Sequence, residues 1–233
     1  MTFVFLISCL PTPVSQMEGQ VTDGNGTLIA NATIEVRDEF ANIYAQGQAD
    51  ESGIFSIELP PYQTFFTVVS AENYITSSFT GYSGEGDFIV PPGTLWLRTS
   101  EEIESTNIDF SSCTPSTTGL IDGELRVAIS GQDPDTLPIV TTGEIYLIDE
   151  EDNTIDACYL PIAVDEADEE DEDSTISTQT GESGRYAFFD IEEGLYILRA
   201  TILIEEVETH RIDYVVYVPE EGTVPLYPTL ISL

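Results

Sequence analysis

Short runs of alternating apolar and polar residues recur along this chain, each broken by a turn rich in Gly, Asn, Asp or Pro. Ala32-Thr33-Ile34-Glu35-Val36-Arg37 has the two-residue period of a half-buried strand. Met17 to Thr22 is a short strand, followed by the turn Asp23-Gly24-Asn25-Gly26, in which two glycines can take positive φ. Ile43 to Gln48 and Ile54 to Leu59 flank Asp50-Glu51-Ser52-Gly53 as a hairpin. Phe65 to Ala71, Ile75 to Phe79 and Thr94 to Arg98 complete the set. Seven strands separated by turn signals predict a β-sandwich, and no stretch shows helical periodicity.

The pattern then repeats. Glu51-Ser52-Gly53-Ile54-Phe55 returns as Glu182-Ser183-Gly184-Arg185-Tyr186, each copy followed by a short apolar run, a turn and an aromatic-led strand. Glu124 to Ile129, Glu144 to Ile148, Arg185 to Phe189, Leu195 to Leu203 and Tyr214 to Val218 are the strands of the second copy. The chain divides into an N-terminal signal and tether over 1–16, a first sandwich over 17–99, a Ser/Thr-rich linker over 100–119, and a second, more divergent sandwich over 120–233 with an acidic insertion near 165–173. At 233 residues the length allows two self-supporting cores.

Charge changes the picture more than length does. Asp and Glu total 43 against 6 basic residues, all Arg, for a formal charge of −37. Apolar content of 41% excludes wholesale disorder. So acidic a surface suits a high-salt habitat, where ions screen self-repulsion, or an acidic secreted protein of an ordinary host. It excludes nucleic acid as a partner, because counterion-release binding needs basic residues. Without Lys there is no P-loop, no Schiff-base or pyridoxal-phosphate chemistry and no Lys–Asn isopeptide crosslink. A single His, His210, rules out a His-rich zinc site within one chain.

The N-terminus reads Met-Thr-Phe-Val-Phe-Leu-Ile-Ser-Cys-Leu, and Leu6-Ile7-Ser8-Cys9 resembles a bacterial or archaeal lipobox. That resemblance implies export and lipidation of Cys9, with Pro11 to Gln16 as a tether. Only eight residues precede Cys9 and none is basic, a departure from the usual export signal. Cys113 and Cys158 remain as an even pair. In an exported chain they can form a disulfide closing a loop of about 45 residues, or stay as buried thiols.

The order Gly19-Gln20-Val21-Thr22-Asp23, Gly26, Ala32 to Val36, Ala49 to Phe55 and Val68 to Tyr74 resembles the carboxypeptidase regulatory-like domain. This transthyretin-like β-sandwich occurs beside metallocarboxypeptidase domains and on bacterial and archaeal surface proteins. The resemblance implies an all-β fold of two tandem Ig-like or transthyretin-like Greek-key β-sandwiches. It brings no catalytic residues, since those belong to the neighbouring peptidase domain.

Candidate chemistry is sparse. Eight carboxylates in nine residues, Asp165, Glu166, Asp168, Glu169, Glu170, Asp171, Glu172 and Asp173, supply oxygen ligands for Ca²⁺, yet lack the Gly and spaced neutral positions of a calcium loop. Asp133-Pro134-Asp135 and Asp149 to Asn153 read as acidic turns. His210 sits between two strand-like segments as an exposed polar residue. Trp96, Phe65, Phe66, Tyr74, Phe79 and Tyr82 form either a saccharide-stacking face or core. Asn25 and Asn31 head N-x-T sequons. These features predict a non-catalytic, lipid-anchored envelope module, structural or adhesive, whose partner is a protein or glycan and whose only membrane contact is the anchor. The alternative is a calcium- or polysaccharide-binding module of a secreted or surface assembly.

Overall fold

The computed structural model describes residues 15–108, 110, 113, 116, 119–129, 132, 136–160, 183–204 and 207–232. Cys9, Asp133-Pro134-Asp135 and the acidic run over 165–173 lie outside them. The described chain is all-β, with one short helix. In the first half, β1 (Ser15–Asp23) pairs antiparallel with β4 (Ile54–Leu59) and parallel with β7 (Phe88–Ile89) and β8 (Leu95–Leu97). A second layer runs β3 (Ile43–Gln48), β2 (Thr33–Arg37), β5 (Thr64–Ser70) and β6 (Ser77–Tyr82). Alternation does what it predicts. Phe55, Ile57 and Leu59 of β4 are buried, while Ile54, Ser56 and Glu58 face out. They pack with Val21, Ile34, Val36 and Leu97 in the first core.

The second half repeats this plan. β9 (Leu120–Ala128) pairs antiparallel with β13 (Arg185–Phe188) and parallel with β16 (Thr223–Ser232), as β1 does with β4 and β8. The short β12 (Cys158–Tyr159) extends that layer beyond β13. The facing layer runs β11 (Thr154–Asp156), β10 (Gly143–Ile148), β14 (Gly194–Ile204) and β15 (Val207–Val218), matching β3-β2-β5-β6. Hydrogen bonds confirm the equivalence. The Gly53 carbonyl accepts from Val21 N at 3.0 Å, and the Gly184 carbonyl from Leu125 N at 2.9 Å. The carbonyls of Val21 and Leu125 in turn accept from Ile29 N and Val140 N. Both repeated glycines have positive φ, 71° and 65°, which is why the Glu-Ser-Gly motif recurs.

Four turns share one Asp-based device. Asp23, Asp38, Asp50 and Asp149 each accept, through Oδ1, the amides two and four residues on. The residue three on takes positive φ: Gly26, Ala41, Gly53 and Asp152. Such side-chain caps satisfy amides that a tight turn leaves unpaired.

The two sandwiches meet edge to edge. The β12-β13-β9-β16 layer of the second half joins the β6-β5-β2-β3 layer of the first, making one eight-stranded sheet. The seam is β16 against β6, in parallel at Thr223 and Ser77. Thr223 N donates to Thr76 O at 2.8 Å, and the Ser77 and Thr223 hydroxyls lie 3.0 Å apart. Gly222 allows this approach, because a Cβ there would lie 2.8 Å from Thr76 O. Tyr217 seals one side, packing on Phe66 and under the Arg37 guanidinium.

Four expectations need correcting. The tether expected over Pro11 to Gln16 stops sooner, because Ser15 and Gln16 open β1 and pair with Leu59 and Glu58 of β4. The segment read as a polar linker opens with α1 (Ser100–Ile108). Thr99 caps it: Glu102 N donates to Thr99 Oγ1 at 3.3 Å and Thr99 N to Glu102 Oε2 at 2.8 Å, a capping box. Among its described side chains the helix buries Ile103 alone, too little apolar surface to register as periodicity. The C-terminal segment beyond Val218, to which the sequence pattern assigns no strand, is β16, inside the eight-stranded sheet; Pro225 pairs in register with Asp122, and the register shifts between Leu226 and Thr229, around Pro228. His210 lies within β15, opposite Ile202, not between strands.

Candidate functional site at the junction of the two sandwiches

Arg98 directly follows β8, bridged to Ile75, and sits on the same side as Trp96, since extended residues two apart share a face. Its Cζ lies 5.2 Å from the centre of the Trp96 ring. The guanidinium reaches across the junction to Asp122 of β9. Nη1 donates to Oδ2 at 2.7 Å and Nη2 to Oδ1 at 2.6 Å. Arg98 is 4% exposed and Asp122 fully buried. Tyr227 of β16 donates a third hydrogen bond to Asp122 Oδ2 at 2.9 Å.

Burial works against the charge of Arg98, but the Asp122 carboxylate outweighs it and the guanidinium pKa is raised. Desolvation and then the Asp122 charge push the Tyr227 hydroxyl above the usual phenol range, against the pull of Arg185. Arg98 Nε, also buried, has no hydrogen-bond partner.

These groups line an open cleft of about 350 Å³. The first half contributes Trp96 and Arg98, the helix contributes Glu102 and Ser105, and the second half closes it with Asp122, Tyr227 and Arg185, whose guanidinium also stacks on Phe110 at 5.4 Å. Two of the chain's six cationic side chains therefore meet in one place. Two carboxylates balance them, so the lining is locally neutral on an acidic protein. A lone sequence motif could not reveal this constellation, because its members are up to 131 positions apart (Trp96 to Tyr227).

The other sequence candidates are dispersed. Phe65 and Phe66 are core; Tyr74 and Phe79 are half-buried against it. Tyr82 is 64% exposed and lies on β6, away from the Trp96 cleft lining. No shared aromatic face exists among these six. His210 is half-buried. Asp149 to Asn153 is the turn between β10 and β11. Cys113 and Cys158 are joined by a disulfide, with Cα atoms 6.4 Å apart, beside the small cluster of Ile103, Phe110, Leu120 and Ala187.

A second cleft, about 360 Å³, is lined by Asp190, Glu192, Glu193, Glu220 and Glu221. Glu193 accepts a hydrogen bond from the Tyr217 hydroxyl. Among the described residues, no group of three His, Cys, Asp or Glu side chains is placed to hold a metal ion. No described helix is long and apolar enough to cross a membrane.

Among solved structures, the chain is similar to the Bacillus anthracis TIE protein at 14% identity, covering 94% of this chain and 34% of that one, with a TM-score of 0.31. It thus spans about a third of the TIE protein. It is similar as well to GBS52, the minor pilin of Streptococcus agalactiae, at 12% identity, covering 94% and 95%, TM-score 0.30. The shaft pilin SpaA of Lactobacillus rhamnosus GG matches at 10% identity, covering 94% and 98%, TM-score 0.29. No curated protein matches the chain. The family expected from the Gly19-to-Tyr74 pattern is the one found: residues 16–87 match the family model of the carboxypeptidase regulatory-like domain.

Proposed function

We propose that this chain is a non-catalytic structural module of the cell envelope, a stiff two-sandwich spacer that holds whatever it carries at a fixed distance and angle. The observation carrying this reading is the junction. A continuous sheet and a bidentate buried ion pair join the two sandwiches, where a flexible tandem would have only a linker.

Export is supported by the Cys113–Cys158 disulfide, which persists in oxidising compartments. The finer reading adds a lipid at Cys9, with more than one acyl chain for stable anchoring, and a tether that ends before β1 begins at Ser15. Exposed edges remain at β3 and β4, where Ile43, Tyr44 and Ile54 are open to solvent. Strand addition there is the contact mode that the architecture offers a protein partner.

Small-angle scattering with and without Arg98→Met tests the spacer reading. One rigid shape for the parent and a broadened distribution for the variant support it; a parent that already samples many inter-sandwich angles overturns it. Fatty-acid labelling of cells expressing the chain and its Cys9→Ser variant tests the anchor.

A further inference from the structure

Arg98 is part of the lining of an open cleft, and its Nε is a buried, charged donor with nothing to donate to. A donor in that state costs free energy unless an acceptor arrives. Beside it stands the half-buried indole of Trp96, with Arg98 against its ring. The rest of the lining alternates donors and acceptors: the Arg185 guanidinium, the Glu102 carboxylate, and the Ser105 hydroxyl on the exposed side of α1.

The chemistry of the occupant follows by elimination. An apolar ligand would leave Nε unsatisfied and desolvate two ion-pairing groups. An anion meets Arg98 and Arg185, but Arg98 is already paired with Asp122, and the anion must approach through the field of a chain carrying −37. A cation is drawn by that field and then confronted by two guanidiniums. A neutral polyhydroxylated ring escapes every objection. Its C–H face lies on the indole, one hydroxyl oxygen accepts from Arg98 Nε, and neighbouring hydroxyls pair with Glu102 and Ser105. The cleft of about 350 Å³ lies at the small end of ligand sites.

We propose that the junction cleft is a binding site for the terminal sugars of a neutral glycan, with Trp96 as the stacking platform and Arg98 Nε as the orienting donor. This goes beyond the spacer reading, since a stiff spacer can carry an unused cleft. The cleft exists only because the two sandwiches are locked, so the site couples sugar binding to the seam.

Trp96 is the chain's single tryptophan, which makes its emission a probe of this cleft alone. The whole chain is titrated with maltohexaose, cellohexaose, mannohexaose and N-acetylchitohexaose to 10 mM, with hexagalacturonate as the anionic comparison, by emission and by calorimetry. The expected result is a saturable emission shift with at least one neutral hexamer. Trp96→Ala should weaken binding tenfold or more by calorimetry. Ser105→Arg, at an exposed helix position that leaves both cores untouched, should obstruct the cleft to the same degree. Binding of no neutral hexamer overturns the proposal. So does tighter binding of hexagalacturonate, or binding that Ser105→Arg leaves unchanged. None of these outcomes bears on inter-sandwich angle, so the scattering test of the spacer stands apart.

Discussion

Arg98 and Asp122, one from each sandwich, are joined by two parallel hydrogen bonds of 2.7 and 2.6 Å with neither group open to solvent. Burying such a pair costs desolvation that the attraction only partly offsets, so its value lies in specificity more than in net stability. Arg98→Met strands a buried carboxylate and is expected to cost about 3–5 kcal/mol, and Asp122→Leu, which strands the guanidinium, about as much. The double variant Arg98→Met/Asp122→Leu is expected to recover most of that loss while loosening the angle between sandwiches. Urea unfolding of the three variants checks the energies. Equal losses for the single and double variants would mean that the pair is not what fixes the seam.

The Asp-based turns make a sharper local prediction. At Ala41 the shared turn demands φ of 62° from a residue with a Cβ, where Gly26 and Gly53 meet the same demand freely. Ala41→Gly is expected to gain stability on the order of 0.5–1 kcal/mol, the relief of left-handed strain exceeding the added chain entropy. Asp38→Ala removes the acceptor for Phe40 N and Asn42 N, at 3.0 and 2.9 Å, and is expected to cost about 1 kcal/mol. Thermal melts of both variants give opposite signs if the turn geometry is as described.

Two groups of residues set the pH range. Hydrogen bonds from Arg199 and Arg211 hold the Asp213 carboxyl well below the usual carboxylate range. Its contribution is therefore full above the unfolded carboxylate range and is lost as pH falls through the depressed folded value. Burial pushes the hydroxyls of Tyr159 and Tyr186 far above the phenol range. The unfolded chain thus sheds those protons first, and stability declines once pH passes about 10. Alkaline titration followed at the tyrosinate absorbance should show a late step coincident with unfolding, smaller in Tyr186→Phe, which leaves Tyr159 to titrate late. An Asp213 carboxyl signal that titrates in the ordinary range would refute the acid-side claim.

Much of the first half was legible because its strands have one buried and one exposed face, and its turns carry Gly at positive φ. The second half hid more. The shared Asp-Glu-x-x-Asn at Asp38 and Asp149 marks equivalent β2–β3 and β10–β11 turns, yet the composition around Asp149 looks merely acidic. Thr99-Ser100-Glu101-Glu102 is a capping box in plain view, but a helix whose described side chains bury one Ile offers no periodic stripe. β16 was obscured by its prolines, of which Pro225 stays in register opposite Asp122 and Pro228 falls at the register shift. The junction cleft was illegible for a different reason: Trp96, Asp122 and Tyr227 meet only through the pairing of β9 with β16 and the docking of two sandwiches, and no local pattern encodes a contact of that range.

The remaining prediction concerns the charge itself. With 43 acidic and 6 basic residues, most carboxylates have no cation to pair with, and the turn aspartates use theirs on backbone amides. Compaction therefore concentrates like charge, a penalty that mobile ions screen as the Debye length shrinks from about 10 Å at 0.1 M to about 3 Å at 1 M. The melting temperature is expected to climb with NaCl through that whole range. Millimolar Ca²⁺ at fixed ionic strength separates screening from coordination. The described residues hold no metal-binding group, and the run from Asp165 to Asp173 lacks the spacing of a calcium loop, so the expected response to Ca²⁺ matches that to Mg²⁺. A saturating rise with Ca²⁺ alone, lost when the carboxylates over 165–173 are changed to amides, would instead make this chain a calcium-dependent module.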